Sequence, residues 1–112
     1  MEQRQHPRFP VRMRTILGPP DAVEQEGTVY NVSVGGCAVL AEHLRGTDMM
    51  TSLHLYPSPA TEPIIIAGAV RRWGKGPLHC YEFLSMTTDN HERLRLLLAD
   101  LQANQDHRST QD

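Results

Sequence analysis

The sequence predicts an all-β protein, a six-stranded antiparallel β-barrel followed by one C-terminal α-helix. Three observations support this fold class. Short segments of strand-like composition are separated by turn signals about every ten residues. The apolar pattern keeps a period of two for most of the chain and changes to the helical period after residue 87. Short, evenly spaced strands are typical of small barrels, which remove exposed sheet edges by closing.

The first strand is expected over residues 9–17, with the sequence FPVRMRTIL. Its apolar residues Val11, Met13 and then Ile16 alternate roughly with arginines, as in a strand with one solvated face. The following segment, GPPDAVEQEG at 18–27, combines glycine, two prolines and acidic residues and is expected to be a loop.

Two short strands, TVYNVS at 28–33 and CAVLAE at 37–42, are expected to pair through a tight connection. Gly35 and Gly36 lie between them. Because glycine adopts positive φ angles at little cost, we expect these two residues to take such angles in a hairpin turn.

Three more strands are predicted before the helix. Residues 49–56 form a fourth apolar run, and the proline-rich segment 57–63 must be a loop or an irregular edge. The segment IIIAGAVRRW at 64–73 is the richest in β-branched residues and predicts a central strand. The turn GKGP at 74–77 then leads into a partner strand at 79–86.

The C-terminal segment has the periodicity of an amphipathic helix. We expect it to be capped by Thr88 or Asp89, with Glu92 completing a capping box. The polar residues after Asn104 are expected to lie beyond the helix. The residues that recur at i, i+3, i+4 and i+7 are Leu94, Leu97, Leu98 and Leu101.

The length of 112 residues allows one domain with a modest core. We divide the chain into a flexible basic arm at 1–8, a barrel with its helix at 9–104 and a disordered tail at 105–112.

No run approaches the roughly 18 apolar residues of a membrane span, so no direct membrane insertion is expected. The start has no apolar signal segment, which predicts a cytoplasmic protein. Cys37 and Cys80 form no CxxC pair and are expected to be reduced, buried small hydrophobes.

The charge distribution argues against some binding partners. The formal net charge of −2 excludes a global polycation, so no nucleic acid polymer is expected as a partner. The arginines are nevertheless concentrated at the start of the chain, where Glu2 is the single acid among them. A local anion site near the amino terminus is therefore expected, formed among Arg4, Arg8, Arg12 and Arg14.

Two short motifs carry the functional argument. RQHPR has the spacing RxxxR, with Arg4 and Arg8, and NVSVGG has the spacing NxSxxG, with Asn31, Ser33 and Gly36. Arginines bind phosphate or the guanine edge with paired hydrogen bonds and also stack on bases. Asn31 and Ser33, two apart on a predicted strand, are expected to project to the same face.

The two motifs, in this order and separated by one predicted strand and a loop, resemble the motif pattern of the PilZ domain. The PilZ domain is a small β-barrel receptor for cyclic di-GMP. The AVRRW strand and the strand before the helix are also similar to that family. The resemblance runs roughly from Arg4 to Leu101.

The resemblance implies a PilZ-like split barrel that acts as a single-domain cyclic di-GMP receptor in bacterial second messenger signalling. Its nucleotide ligand would order the N-terminal arm, and the signal would leave through an unidentified protein partner. The resemblance implies no enzyme activity, no catalytic residue, no metal and no cofactor. The ligand-binding residues that it implies are Arg4, Arg8, Asn31, Ser33, Gly35 and Gly36. Trp73 and Arg72 are added from the residues themselves, as a stacking platform and a neighbouring cation.

The sequence departs from the family pattern at three positions, of which Gln3 and Cys80 favour an alternative function. Gln3 stands where many members have a further arginine, Asn31 stands where Asp is commoner, and Cys80 stands where Gly is usual. The alternative is a PilZ-like adaptor that acts by protein–protein interaction without nucleotide binding.

Simpler interpretations of single features also remain open. The arm could be merely solvated, NVSVGG could be a plain β-turn, and Trp73 could pack at the barrel rim. His79 and Cys80 are adjacent on a strand and point to opposite faces, which argues against a zinc site.

Overall fold

A computed structural model describes residues 7–18, 24–42 and 50–111, with only the backbone of 105–111. These residues form the expected elements, six strands and one helix. The elements are β1 (Phe9–Gly18), β2 (Gln25–Val32), β3 (Gly36–Leu40), β4 (Met50–Tyr56), β5 (Ile64–Lys75), β6 (Leu78–Ser85) and α1 (Thr88–Gln111).

The six strands close into a barrel in the order β1-β2-β3-β6-β5-β4, and every pairing is antiparallel. The pairing of β1 with β4 closes the barrel, for example through Thr15 opposite Leu55. Closure pairs the backbone groups of all six strands, which leaves no open sheet edge among the described strands. The predicted fold class is therefore confirmed.

Alternate residues of the strands fill the barrel with β-branched and aliphatic side chains. Val29, Val39, Leu53 and Ile66 are fully buried there. Thr15 is buried among them, and its hydroxyl donates a hydrogen bond of 2.9 Å to the His54 carbonyl, so its polarity is satisfied.

Near the C-terminal end of β1, the residues that face the core differ from our expectation. Met13, Thr15 and Leu17 are buried, whereas Ile16 is only half-buried. A strict two-residue alternation from Met13 places Ile16 on the outer face, and the buried Thr15 takes the inward position.

Helix α1 covers the barrel with its leucine face. Leu94 is 0% exposed and belongs to the core, while Leu97, Leu98 and Leu101 pack partly buried against it. Arg93 fixes the helix to the loop before β5, because its guanidinium donates hydrogen bonds to the Glu62 and Pro63 carbonyls. The predicted apolar stripe is thus the packing face of the helix.

The start of α1 is capped one residue earlier than expected. The Thr87 hydroxyl accepts a hydrogen bond from the Asn90 amide, 3.2 Å away, as an N-cap residue does. Glu92 pairs with Arg95 at 3.3 Å instead of completing a capping box. The Asn90 side chain accepts a hydrogen bond of 2.9 Å from the Ile65 amide, so the first turn of the helix is also bound to β5.

The helix also continues past its expected end at Asn104, to Gln111. Residues 105–111 contain neither proline nor glycine, so nothing in their backbone chemistry stops the helix. Within the part of the chain that the structure describes, no helix is long and apolar enough to span a membrane.

Candidate functional site

The two sequence motifs meet at the start of β1. Arg8 immediately precedes this strand, and Asn31 in β2 pairs with Pro10. The Arg8 guanidinium donates a hydrogen bond of 2.9 Å from Nη1 to the Asn31 side-chain oxygen, across 23 residues of sequence. The second arginine of RxxxR and the asparagine of NxSxxG therefore lie side by side. Arg4, the first arginine, lies outside the described residues, as does Gln3.

Ser33 shapes the connection between β2 and β3. Its side chain is only 4% exposed, and its hydroxyl accepts hydrogen bonds from the amides of Gly35 (3.2 Å) and Gly36 (3.1 Å). Its own amide donates to the Gly36 carbonyl at 2.8 Å. Ser33 thus closes a compact turn through both its backbone and its hydroxyl.

This geometry corrects the expectation that Ser33 and Asn31 share a strand face. β2 ends at Val32, so the two-residue alternation does not reach Ser33. The Ser33 hydroxyl points back into the turn, whereas the Asn31 side chain contacts Arg8.

The structural reason for glycine in this turn is not the positive φ angle that we expected. Neither Gly35 nor Gly36 has a positive φ; among the described glycines only Gly76 does. A Cβ atom at Gly36 would instead collide with the Tyr81 carbonyl oxygen on β6. The Gly35 carbonyl accepts a hydrogen bond of 2.9 Å from the Phe83 amide, so the turn is also held on β6. Gly36 is required for a close approach between strands.

Cross-strand pairing extends the site sideways from Asn31. Asn31 pairs with Ala38 on β3, Ala38 with Cys80 on β6, and Cys80 with Trp73 on β5. Ala38 is nearly covered but lies on the outer side of the sheet, because its neighbours Cys37 and Val39 belong to the core. We call Asn31, Ala38, Cys80 and Trp73 the lateral row. It spans three strand spacings, about 14 Å.

The far end of the lateral row is its most exposed part. Ala38 is 1% exposed and is therefore covered by its neighbours, whereas Trp73 is 50% exposed. A ligand at this row would have Arg8 and Asn31 at one end and an indole at the other. Cys80 is half-buried, so the expectation that both cysteines are buried is correct only for Cys37.

Arg72 is on the surface next to Trp73 but already has a partner. Its Nε lies 2.6 Å from a Glu82 carboxylate oxygen on β6. Both side chains are largely exposed, so this ion pair contributes little to stability and can exchange with another anion.

Tyr30 adjoins Asn31 and is a site residue that the sequence pattern does not single out. The register between β2 and β3 shifts between Val29 and Asn31, which marks a β-bulge at Tyr30. Burial raises the pKa of the Tyr30 phenol, Cys80 raises it further, and the Arg8 charge opposes the shift. The phenol therefore lies within electrostatic reach of both Arg8 and Cys80. A one-residue bulge cannot be read from an alternating pattern.

The two cysteines differ chemically. Burial raises the pKa of the Cys37 thiol to about 12, with Arg8 lowering it and Cys80 raising it. Cys37 therefore stays protonated at neutral pH and serves as a core residue.

Within the described residues, no group of three or more His, Cys, Asp or Glu side chains is arranged to hold a metal ion.

Comparison with known families identifies the fold. The family model of the PilZ domain matches residues 2–100. The chain belongs to the PilZ domain family. No curated protein matches the chain closely enough to count as a relative.

Solved PilZ structures have the same architecture at low sequence identity. The PilZ domain of CeSA from a cellulose-synthesizing bacterium is 15% identical, with a TM-score of 0.67 over 86% of this chain and 98% of that one. The PilZ domain of YcgR from Escherichia coli, solved with c-di-GMP, is 12% identical, with a TM-score of 0.65 over 99% of this chain and 100% of that one. The inhibitor of motility MotI/DgrA of Bacillus subtilis is 20% identical, with a TM-score of 0.73 over 93% of this chain. The match covers 53% of the MotI chain.

Proposed function

We propose that this PilZ domain is a non-enzymatic receptor for cyclic di-GMP. The observation that carries the proposal is the hydrogen bond between Arg8 and Asn31, because it joins the two motifs into one surface. The E. coli YcgR domain, which has the same fold, was solved with this nucleotide. No metal or other cofactor is part of the proposal.

The charge and the base edges of the ligand suit the paired side chains of Arg8 and Asn31. Cyclic di-GMP has two phosphates and two guanine bases, and it is anionic and planar at its bases. Arg8 would bind a phosphate or the guanine edge, together with Arg4 from the arm. Asn31 would bind the guanine edge once the ligand replaces Arg8 as its partner. In the free protein these two side chains are hydrogen-bonded to each other.

The turn of residues 33–36 would act mainly through its backbone. With the Ser33 hydroxyl accepting two turn amides, the backbone of this turn is fixed. Gly36 is buried against β6, so a ligand would approach the turn at Gly35, which is half-buried and has no side chain. Ser33 would thus support the site by fixing the turn, in addition to any direct contact.

Trp73 would provide the stacking surface at the far end. Stacking of a base on an exposed aromatic side chain contributes about 1–3 kcal/mol. Arg72 would contribute only by leaving Glu82, so we expect its effect on affinity to be smaller than that of Arg8.

The arm of residues 1–8 would become ordered over the site on binding, and a protein partner would recognise the changed surface. Within the arm the structure describes Pro7 and Arg8, and the contact of Arg8 with Asn31 gives the arm one anchor on the barrel. We place the receptor in the cytoplasm, where a nucleotide second messenger is produced.

Calorimetric titration with cyclic di-GMP tests the proposal. The wild type should bind, and Arg8→Ala should weaken binding about tenfold to a hundredfold, the loss of one charge-assisted contact. Arg14→Ala is the matched control, since Arg14 is an arginine of the neighbouring strand β1 that pairs with Glu26 and lies over the Tyr56 ring. Its affinity should equal that of the wild type. No heat from a folded wild type would reject the proposal, and equal losses in both variants would remove Arg8 from the site.

A second candidate is the PilZ-like adaptor that acts through protein contact without nucleotide. The observation that favours it is that Arg8 and Asn31 bond to each other and that the Ser33 hydroxyl bonds within its own turn. Partner binding that does not change when cyclic di-GMP is added would select this function.

A further inference from the structure

The histidine next to the lateral row is held in one hydrogen-bonding state. His79 is 6% exposed, and its Nδ1 lies 3.1 Å from Arg71 Nη1. A guanidinium has only donors, so Nδ1 accepts and the ring proton is on Nε2. The Ala41 backbone raises the pKa of His79, as an acceptor facing the imidazole does. The Ala41 amide already donates to the Pro77 carbonyl, so the group that faces the imidazole is the Ala41 carbonyl. A neutral His79 therefore links β6 to β5 and to the end of β3.

His79 supports an irregular part of β5. Arg71 pairs with Tyr81 and Trp73 pairs with Cys80, which leaves Arg72 as an extra, bulged residue. The bulge is held on its two sides by the contacts of Arg72 with Glu82 and of Arg71 with His79. Gly74 leaves room for this arrangement, since a Cβ there would be 3.3 Å from His79 Nδ1 and 3.4 Å from Arg71 Nη1. Trp73 lies between the bulge and this glycine.

Protonation of His79 is incompatible with this arrangement. An imidazolium has no acceptor, and its charge would face the Arg71 guanidinium directly. Burial and, secondarily, the Arg71 charge lower the pKa of His79 below its ordinary value of 6.5, while the Ala41 bond opposes them. The residues that pair with His79 on the neighbouring strands carry no charge: they are Val39 on β3 and Gly74 on β5. Tyr81, next on the same face of β6, has a raised pKa and stays neutral.

We propose that His79 is a proton-sensitive positioning residue, which in its neutral form holds Arg71 and keeps Trp73 in place at the end of the lateral row. When His79 is protonated, Arg71 loses its acceptor and the Trp73 segment loosens. The ligand affinity that depends on Trp73 then falls in acid. This consequence rests on the proposed receptor function, whereas the effect on Trp73 itself does not.

The effect on Trp73 can be measured without any ligand, because Trp73 is the only tryptophan in the chain. The indole fluorescence of the wild type should change in one transition below pH 6.5, the ordinary pKa of histidine, as the pH falls from about 8 to about 5. The far-ultraviolet circular dichroism should stay constant over this range. In His79→Gln the amide oxygen accepts from Arg71 at every pH, so the transition should be absent. His91→Gln removes an exposed histidine of α1 and should leave the transition unchanged.

Titration of cyclic di-GMP at about pH 8 and about pH 5 tests the consequence for binding. The wild type should bind about fivefold more weakly at the lower pH, the loss of one ordinary hydrogen bond. His79→Gln should bind about equally at both values, and His91→Gln should behave like the wild type.

The two failures are distinguishable. Fluorescence that is constant with pH in the wild type, or a transition that persists in His79→Gln, would overturn the role of His79. Absence of nucleotide binding at both pH values, with the fluorescence transition intact, would overturn the receptor function and leave the structural effect of His79 in place.

Discussion

Two glycine-containing turns connect neighbouring strands of this barrel, and they use glycine for different reasons. The turn at 33–36 joins β2 to β3, is built around a buried serine hydroxyl and is pressed against β6. The turn at 76–77 joins β5 to β6. Its Gly76 has φ of 60°, and a Cβ added there would have no neighbouring atom within 4 Å. The first glycine turn is required by close packing, and the second by backbone conformation.

The difference shows what each turn requires of its residues. An exposed hairpin turn needs only a residue that tolerates positive φ. The turn at 33–36 has ordinary φ values, yet it uses a buried polar side chain and a crowded glycine to fix its backbone. It lies beside Arg8 and Asn31, whereas Gly76 lies at the far end of the β5–β6 hairpin.

The largest expected difference between the turns is in stability. Gly36→Ala should lower the free energy of unfolding by about 3 kcal/mol, because its Cβ would meet a backbone oxygen that cannot rotate away. Gly76→Ala should cost about 1 kcal/mol, since a left-handed alanine is strained but has open space. Urea unfolding of both variants measures the two values. Equal costs would show that packing does not distinguish the turns.

The second difference concerns two serine hydroxyls that each accept a hydrogen bond from the amide two residues later, one bond being in the turn at 33–36 and the other being exposed. Ser33→Ala should lower the free energy of unfolding by about 2 kcal/mol, because two turn amides lose their buried acceptor. Ser58 is the matched control: its hydroxyl accepts from the Ala60 amide at 3.1 Å, but this hydrogen bond is exposed, so water can replace it. Ser58→Ala should change the free energy of unfolding by less than about 0.5 kcal/mol. A small cost at Ser33, measured by the same urea unfolding, would mean that its hydroxyl does not hold the turn.

The sequence predicted most of the fold because the fold depends on local patterns. Segments of strand-like composition, such as the β-branched residues 64–73, became strands, and the leucine stripe at 94–101 became the packing face of α1. The end of the helix was missed, since residues 105–111 are polar but contain no residue that breaks a helix.

The site was less predictable, because its geometry depends on pairing between distant strands. The resemblance to PilZ domains assigned Arg8 and Asn31 to one predicted site, and in the structure these two residues are in contact. Strand register determines three features that the motifs did not predict: the Ser33 hydroxyl pointing into its turn, the crowding of Gly36 by Tyr81 and the bulge at Tyr30. An alternating pattern determines which face is buried but not where a strand gains an extra residue.

The central claim is that the turn at 33–36 is part of a cyclic di-GMP site and the turn at 76–77 is not. Calorimetric titration of the nucleotide into the wild type, Ser33→Ala and Gly76→Ala, at a temperature where all three are folded, tests it most directly. We expect the wild type and Gly76→Ala to bind with the same affinity and Ser33→Ala to bind about tenfold more weakly. Equal affinities in all three proteins, or an equal loss in both variants, would contradict the claim.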